Sequence, residues 1–308
     1  MRIVGFVQSH NNVVNGYLRR CLRSLRAICD EIVIYDDASF EDVWSLYREF
    51  GCIVVPGREQ AFTRELYHKE ELLTWALRFR PDWICWADTD ACLGRAWSTR
   101  PAAESFLSQA DAQGAHLVML HNLNLWRSHW WYRTDEKFND LWHGVFWRNT
   151  GELHYQPRTG LHQQQFPLFW HDGQRPTVSV RFDRPEGQLL HFGFAREEEI
   201  VRKYFTYRQA GQTGWALERL VDERKLCLES ASSVWYPEWL LEEIGAPEGS
   251  PAPKLTPGSM ARVPDFKTWR DFYASDELWD AGWPIRTSTQ DGAGGADTSG
   301  GGGIDGSR

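Results

Sequence analysis

Residues 83–92 read Trp-Ile-Cys-Trp-Ala-Asp-Thr-Asp-Ala-Cys, a short apolar run that ends at two aspartates one residue apart. Such a run, preceded by Pro81-Asp82 and followed by charge, predicts a buried strand. Ligands of open α/β sheets bind at the carboxyl ends of strands, where we expect Asp88 and Asp90. Two neighbouring carboxylates favour a shared divalent cation with oxygen ligands, and such an ion can hold a diphosphate. The alternative is a turn or a helix N-cap after the strand.

The first ninety residues repeat one pattern. Apolar, β-branched runs at 3–7, 32–35 and 52–55 are each followed by a polar loop and then by apolar residues at helical spacing. This alternation predicts parallel strands with right-handed crossovers. The polar loops should then gather at one edge of the sheet; they span residues 8–12, 36–39, 56–64 and 88–92.

The remainder of the chain is less regular. The spacing of apolar residues predicts helices over 101–113 and 196–209 and strands over 115–120 and 189–194. Residues 154–188 predict loops, and residues 213–245 predict helix. A stretch rich in proline and glycine, 245–264, indicates an exposed connector. The apolar residues of 266–283 are expected to dock on the domain.

Composition narrows the classes of partner. The chain has 308 residues, a formal net charge of −8 and no long basic block, which disfavours nucleic acid as the main partner. The six cysteines form no Cys-x-x-Cys pair, and no apolar run reaches membrane-spanning length. With no signal peptide in the sequence, we expect a cytoplasmic protein, with peripheral membrane contact left open. The 17 tryptophans indicate aromatic-lined pockets or large core side chains.

Three early segments together are similar to a known family. Residues 3–12, 32–39 and 83–90 in this order, with Leu190-His191-Phe192-Gly193 ahead of a charged helix, resemble family-2 glycosyltransferases of the GT-A type. The resemblance covers about residues 1–210. It implies an α/β, GT-A fold, a mainly parallel mixed sheet flanked by helices, to which this chain adds a C-terminal helical extension. It also implies a transferase that uses nucleotide-diphosphate sugars.

The resemblance also suggests how the chain is divided. Residues 1–210 would form the GT-A domain, with a nucleotide-sugar half at 1–95 and an acceptor half at 96–210. A helical C-terminal extension would span 211–286. Residues 287–308 are glycine, serine, aspartate and threonine for the most part and cannot bury a core, so a disordered tail is predicted.

The family pattern implies a nucleotide pocket built from three loops. Its residues would be Gln8, His10 and Asn11 from the first loop, Asp36 and Asp37 from the second, and Arg58 or Arg64 from the third. Of the two aspartates we favour Asp37 as the acceptor of hydrogen bonds from the base or ribose. The alternative for this pair is capping of the following helix, and one loop can do both.

The same pattern implies a metal site. Asp88 and Asp90 would hold Mn²⁺ or Mg²⁺, His191 would complete the ligand shell, and Arg196 or Lys203 would help to neutralise the diphosphate. A core hydrogen bond is the alternative for His191, and solvated helix charge is the alternative for the two basic residues.

Transfer with inversion needs a carboxylate that takes the proton of the acceptor hydroxyl. We expect Asp135, in the aromatic segment 126–147 where acceptor choice should reside; a surface turn is its alternative. The chain departs from the family in Ala91-Cys92-Leu93 after the aspartates and in lacking a Glu-Asp base motif. The acceptor would be a glycan or another hydroxyl compound. Alternative functions are nucleotidyl transfer to a sugar phosphate and carbohydrate binding without catalysis.

Overall fold

The computed structural model describes residues 1–135, 138, 140–160, 164–214, 217, 220, 226–245 and 253. Its N-terminal elements are β1 (Ile3–Ser9), α1 (Tyr17–Arg26), β2 (Glu31–Asp36), α2 (Val43–Glu49), β3 (Ile53–Pro56), α3 (Glu65–Leu77) and β4 (Trp83–Trp86). The four strands are parallel and lie in the order β3-β2-β1-β4. β1 and β4 are buried almost throughout, as expected for parallel strands covered on both faces. The predicted alternation of strands and helices is confirmed.

The second half makes the sheet mixed. Its elements are β5 (Ala91–Leu93), α4 (Arg100–Ala112), β6 (Leu117–Trp126), β7 (Trp131–Arg133), β8 (Trp142–Arg148), β9 (Ser179–Phe182), β10 (Leu189–Phe194), α5 (Glu197–Gln209), β11 (Leu228–Ser230) and α6 (Glu238–Ile244). β8 runs antiparallel between β4 and β6, so β6 is again parallel to the first four strands. The α/β class with a mixed sheet flanked by helices is confirmed.

β6 is longer than the sequence predicts because each of its halves finds different partners. Residues 117–121 pair with β8 and β9, and residues 122–126 pair with β10. The predictions of loops throughout 154–188 and of helix throughout 213–245 are wrong at β9 and β11, which pair with β6 and β7. Both short strands are fixed by partners distant in sequence, which local spacing does not reveal.

Only part of the C-terminal prediction falls on described residues. The helical extension contributes α6, whose buried Leu240 packs with Tyr236 and Phe192. The docking of 266–283 and the predicted disordered tail at 287–308 lie outside the described residues. Among the residues that are described, no helix is both long and apolar enough to cross a membrane.

The polar loops do gather at the carboxyl ends of the parallel strands. Hydrogen bonds join them pairwise: Asp37 N–H to Ser9 O (2.7 Å), Asn11 N–H to Ser39 Oγ (2.7 Å), Asn12 Nδ2 to Thr89 Oγ1 (2.7 Å) and Ala61 N–H to Asp37 Oδ1 (3.0 Å). The loops after β1, β2, β3 and β4 are therefore one connected surface. The prediction that these loops gather at one edge of the sheet, where open α/β sheets bind ligands, is confirmed.

Candidate active site

The loops after β1 and β2 hold residues in the left-handed backbone region. These are Asn11 (φ 59°), Asn12 (φ 69°) and Ala38 (φ 49°). Asparagine tolerates this conformation, but alanine adopts it at a cost of about 1–3 kcal/mol. The Asn11 side chain helps to hold the arrangement, since its Oδ1 accepts the N–H groups of Phe40 (3.0 Å) and Glu41 (3.2 Å). These two hydrogen bonds fix the loop after β2 against the loop after β1 at the rim of the site.

The adjacent aspartates Asp36 and Asp37 have different environments. Asp36 Oδ1 accepts the hydroxyls of Ser39 (2.6 Å) and Tyr47 (2.9 Å), so this carboxylate is engaged in holding its own loop. Asp37 Oδ1 accepts the N–H of Ala61 (3.0 Å), and burial raises the pKa of the Asp37 carboxyl. The structure therefore separates the pair, with Asp36 as a support and Asp37 as the better candidate for a ligand contact.

Gln8 and His10 lie around Asp37. His10 Nδ1 donates to the Asp37 carbonyl oxygen (2.8 Å), and Asn11 Nδ2 lies 2.9 Å from His10 Nε2. Gln8 Nε2 is 3.0 Å from Nδ1 of the buried His68, which stacks on Tyr35 with ring centroids 4.3 Å apart. Four of the predicted nucleotide-pocket residues are thus brought together, with His68 as an addition from α3.

The basic residues predicted for the third loop lie at its surface. Arg58 and Arg64 are both exposed, and the Arg64 guanidinium lies 5.1 Å from the centre of the Tyr67 ring. The structure does not bring either arginine into a hydrogen bond with the aspartates. Their contact with a nucleotide stays a prediction.

The Asp88-Thr89-Asp90 turn between β4 and β5 carries the main charged cluster. Lys203 Nζ from α5 donates to Asp90 Oδ2 (2.7 Å), and His191 Nε2 from β10 is 3.4 Å from both of these atoms. His191 Nδ1 lies 2.8 Å from Oδ1 of Asn124, the residue of β6 that is opposite His191 in the pairing of β6 with β10. Burial alone would raise the pKa of Asp90, but Lys203 and His191 outweigh burial and hold that pKa well below its usual range.

Asp88 differs from Asp90 in lying at the surface of this cluster. Its side chain is exposed, whereas the side chains of Asp90 and Lys203 are each 12% exposed. Desolvation by the neighbouring protein and the charge of Asp90 raise the pKa of Asp88, and exposure of the residue to solvent limits the rise.

The predicted metal ligands do not fit a divalent ion in the arrangement described. Asp90 and His191 converge, but the atom that they converge on is the Lys203 ammonium nitrogen. Among the described residues, no group of three His, Cys, Asp or Glu side chains is placed to hold one ion. A metal needs several such donors aimed at one point, without a cation already there. Metal binding by Asp88, Asp90 and His191 therefore stays a prediction from the sequence.

Asp135 is buried in a separate ion pair. Its two carboxylate oxygens accept from Nε (2.7 Å) and an Nη (2.9 Å) of Arg133, and one of them also accepts the N–H of Cys227 (3.2 Å). The Arg133 guanidinium lies over the ring of Trp126, 4.5 Å from its centre. For Asp135 to act as a base, one of its oxygens must first leave Arg133, so its assignment stays a prediction.

Several site residues had no strong signal in the sequence. The sequence predicts a role for Lys203 only through its position after His191, and it predicts none for Asn124, His68 or Lys69. Lys69 is buried and pairs with Glu65 one turn earlier on α3, and its charge lowers the pKa of Asp88 against the stronger upward effects. A lysine within the apolar stripe of α3 was the one available signal.

No family model matches the chain, and no curated protein matches it. Among solved structures it is similar to S. aureus TarS, with 11% identity, a TM-score of 0.42, and coverage of 72% of this chain and 42% of TarS. It is also similar to S. aureus TarS 1-349 in complex with UDP-GlcNAc, with 12% identity, a TM-score of 0.43 and coverage of 72% and 71%.

A third similar structure is glucosyl-3-phosphoglycerate synthase from Mycobacterium tuberculosis in complex with phosphoglyceric acid. The identity is 14%, the TM-score 0.34, and the coverage 70% of this chain and 81% of the synthase. The chain spans less than half the length of the first of these structures, S. aureus TarS. Similarity this distant does not place the chain in a family.

Proposed function

We propose that the chain is a GT-A-type glycosyltransferase that moves a sugar from a nucleotide-diphosphate donor to an acceptor hydroxyl. The observation that carries the proposal is the meeting of two polar groups at the carboxyl ends of β1, β2 and β4. The first centres on Asp37 and suits the hydroxyl and N–H donors of a nucleoside. The second is the charged cluster of Asp88, Asp90 and Lys203, and the Asn12 to Thr89 hydrogen bond joins the two.

We propose that transfer inverts the sugar carbon. A carboxylate would accept the proton of the attacking hydroxyl while the diphosphate leaves from the other side. Asp135 remains our candidate, on the condition that Arg133 releases one of its oxygens. The tryptophan-rich segment 126–147 would bind the acceptor, because aromatic rings suit the apolar faces of sugars.

The sequence also predicts dependence on Mn²⁺ or Mg²⁺, but the Lys203 ammonium lies at the point on which Asp90 and His191 converge, so metal dependence is not part of this proposal. A cytoplasmic location is supported by the six cysteines, none of which forms a disulfide.

Thermal unfolding in the presence of UDP, GDP, CDP and dTDP, each with Mn²⁺ and with EDTA, tests the donor class. A ligand that binds only the folded protein raises the midpoint in proportion to its affinity. Asp37→Asn should reduce the shift, whereas Asp42→Asn, at the exposed N-cap of α2, should leave it unchanged. The absence of a shift with all four nucleotides under both conditions would refute the proposal.

Products identify the reaction once the nucleotide is known. Incubation with the matching nucleotide sugar should release the nucleoside diphosphate. Nucleotidyl transfer would instead release or consume pyrophosphate, and a binding protein would release neither. Product analysis by anion-exchange chromatography therefore separates the three functions.

A further inference from the structure

The ammonium group of Lys203 lies where the sequence predicts a metal ion. Its nitrogen is 2.7 Å from Asp90 Oδ2 and 3.4 Å from His191 Nε2, so two of the three predicted ligands converge on an atom of the chain itself. We propose that Lys203 supplies the positive charge that holds the donor diphosphate, and that this chain binds nucleoside diphosphates without a divalent metal. This inference rests on the proposed function and specifies how the same site binds its donor.

The surroundings of Lys203 form a complete cation site. Asp90 contributes a carboxylate, and His191 contributes an imidazole whose Nε2 lies 3.4 Å from the ammonium nitrogen and whose Nδ1 lies 2.8 Å from Asn124 Oδ1. The Phe194 ring adds its negative face, with its centre 4.6 Å from Nζ. A carboxylate, an imidazole and an aromatic face around one position are suited to a cation. Here that cation is the ammonium group of Lys203.

The backbone is shaped to admit the ammonium group. A Cβ at Gly193 would lie 2.1 Å from Lys203 Nζ, 2.3 Å from Asp90 Oδ2 and 2.7 Å from His191 Nε2. Any side chain at this strand position would therefore occupy the space of the cluster. Gly193 lies between His191 and Phe194 on β10. The same short strand therefore supplies two side chains that contact the ammonium group and the glycine that leaves space for it.

A divalent ion that Asp90 Oδ2 and His191 Nε2 both ligate would take the position of the Lys203 ammonium. The ammonium is tethered by α5 and thus present at high effective concentration, whereas a metal must be recruited from solution. Lys203 can also engage a ligand while it stays paired. An ammonium has three N–H donors, so one remains for a ligand even when Asp90 and His191 each take one. The neighbouring Asp88 is exposed, so solvent reaches the edge of the cluster.

Calorimetry of UDP, GDP, CDP and dTDP with the full chain tests the inference. For each nucleotide that binds, the dissociation constant in EDTA should equal that in Mn²⁺ to within about threefold. Lys203→Met should weaken binding in EDTA about tenfold to 100-fold, the effect of losing one charge-assisted hydrogen bond. Arg208→Met removes a positive charge from an exposed position of the same helix and should change little.

Loss of Lys203 should also open the site to metal. Titration of Mn²⁺, followed by electron paramagnetic resonance without nucleotide, should detect binding to Lys203→Met but not to the unchanged protein. Lys203→Gln, which keeps a hydrogen-bond donor for Asp90, serves if the methionine variant does not fold. Nucleotide binding that disappears in EDTA, or a neutral variant that binds as tightly as the unchanged protein in EDTA, would overturn the inference. No binding of any nucleotide in either condition would instead reject the proposed function.

Discussion

The pair of Asp90 and Lys203 should stabilise the fold strongly, and a double-mutant cycle can measure by how much. Asp90→Asn leaves a lysine side chain that is 12% exposed without its counter-charge. Removing one partner of a buried ion pair costs about 3–5 kcal/mol, and the residual exposure here places the expected loss at about 3 kcal/mol. Lys203→Met should cost about 2 kcal/mol, because His191 remains beside Asp90.

The double variant should lose less than the two single variants combined. With both charges gone, no group is left buried and uncompensated, and the Met side chain retains much of the packing of the lysine stem. We expect Asp90→Asn with Lys203→Met to cost about 2 kcal/mol, which corresponds to a coupling energy of about 3 kcal/mol. Urea unfolding at pH 7, followed by tryptophan fluorescence, measures each corner of the cycle.

An exposed pair of the same length is the control. Arg95 Nη2 and Glu238 Oε1 are also 2.7 Å apart, but their side chains are 43% and 76% exposed, so their coupling should be close to zero.

The pKa of Asp90 is lowered in the folded state. Its contribution to the free energy of unfolding is therefore present above the ordinary carboxyl range, about pH 4, and is lost as pH falls through the folded pKa. Additive costs for Asp90 and Lys203 at pH 7 would refute the reasoning.

Three other predictions concern single positions. Gly193→Ala should displace the cluster and weaken nucleotide binding by about tenfold or more in calorimetry; unchanged affinity would mean that the ligand does not depend on the cluster. Burial and nearby arginines lower the pKa of His129 to about 4, so the folded state binds fewer protons than the unfolded state. The folded state should therefore lose about 3 kcal/mol as pH falls from about 6.5 to 4. His129→Gln should flatten this dependence in urea titrations, and an equally steep one would contradict the assignment. Asp135→Asn leaves Arg133 buried without its partner and should cost about 3 kcal/mol; full transfer by the folded variant would exclude Asp135 as the base.

The order of elements in the N-terminal half could be predicted because each element there is marked by a pattern of neighbouring residues. Each parallel strand there is a continuous apolar run, each helix has apolar residues at its own spacing, and a polar loop separates them. Parallel crossover connections then force the loops after β1, β2, β3 and β4 to one edge. The meeting of Asp37 with the Asp88-Thr89-Asp90 turn follows from these rules without knowledge of any side-chain contact.

The short strands of the second half could not be predicted in the same way. β9 has four residues and β11 has three, too few for any alternation to be distinctive, and both exist because a strand distant in sequence offers hydrogen bonds. Their stability lies in pairing rather than in local propensity. The aromatic segment was likewise ambiguous, since a tryptophan such as Trp126 can line a pocket or fill the core, and only packing shows that this one is buried.

The sequence alone determined that two aspartates end a buried strand and that a histidine segment precedes a charged helix. It predicted a divalent ion beside the aspartates, because a lysine distant in sequence leaves no mark on the spacing of acidic residues. The tertiary structure adds the Lys203 ammonium to this position by bringing β10 and α5 against the turn that holds Asp90. Lys203 reaches Asp90 across 113 positions of sequence, a distance over which only the packing of elements, and no local pattern, brings charges together.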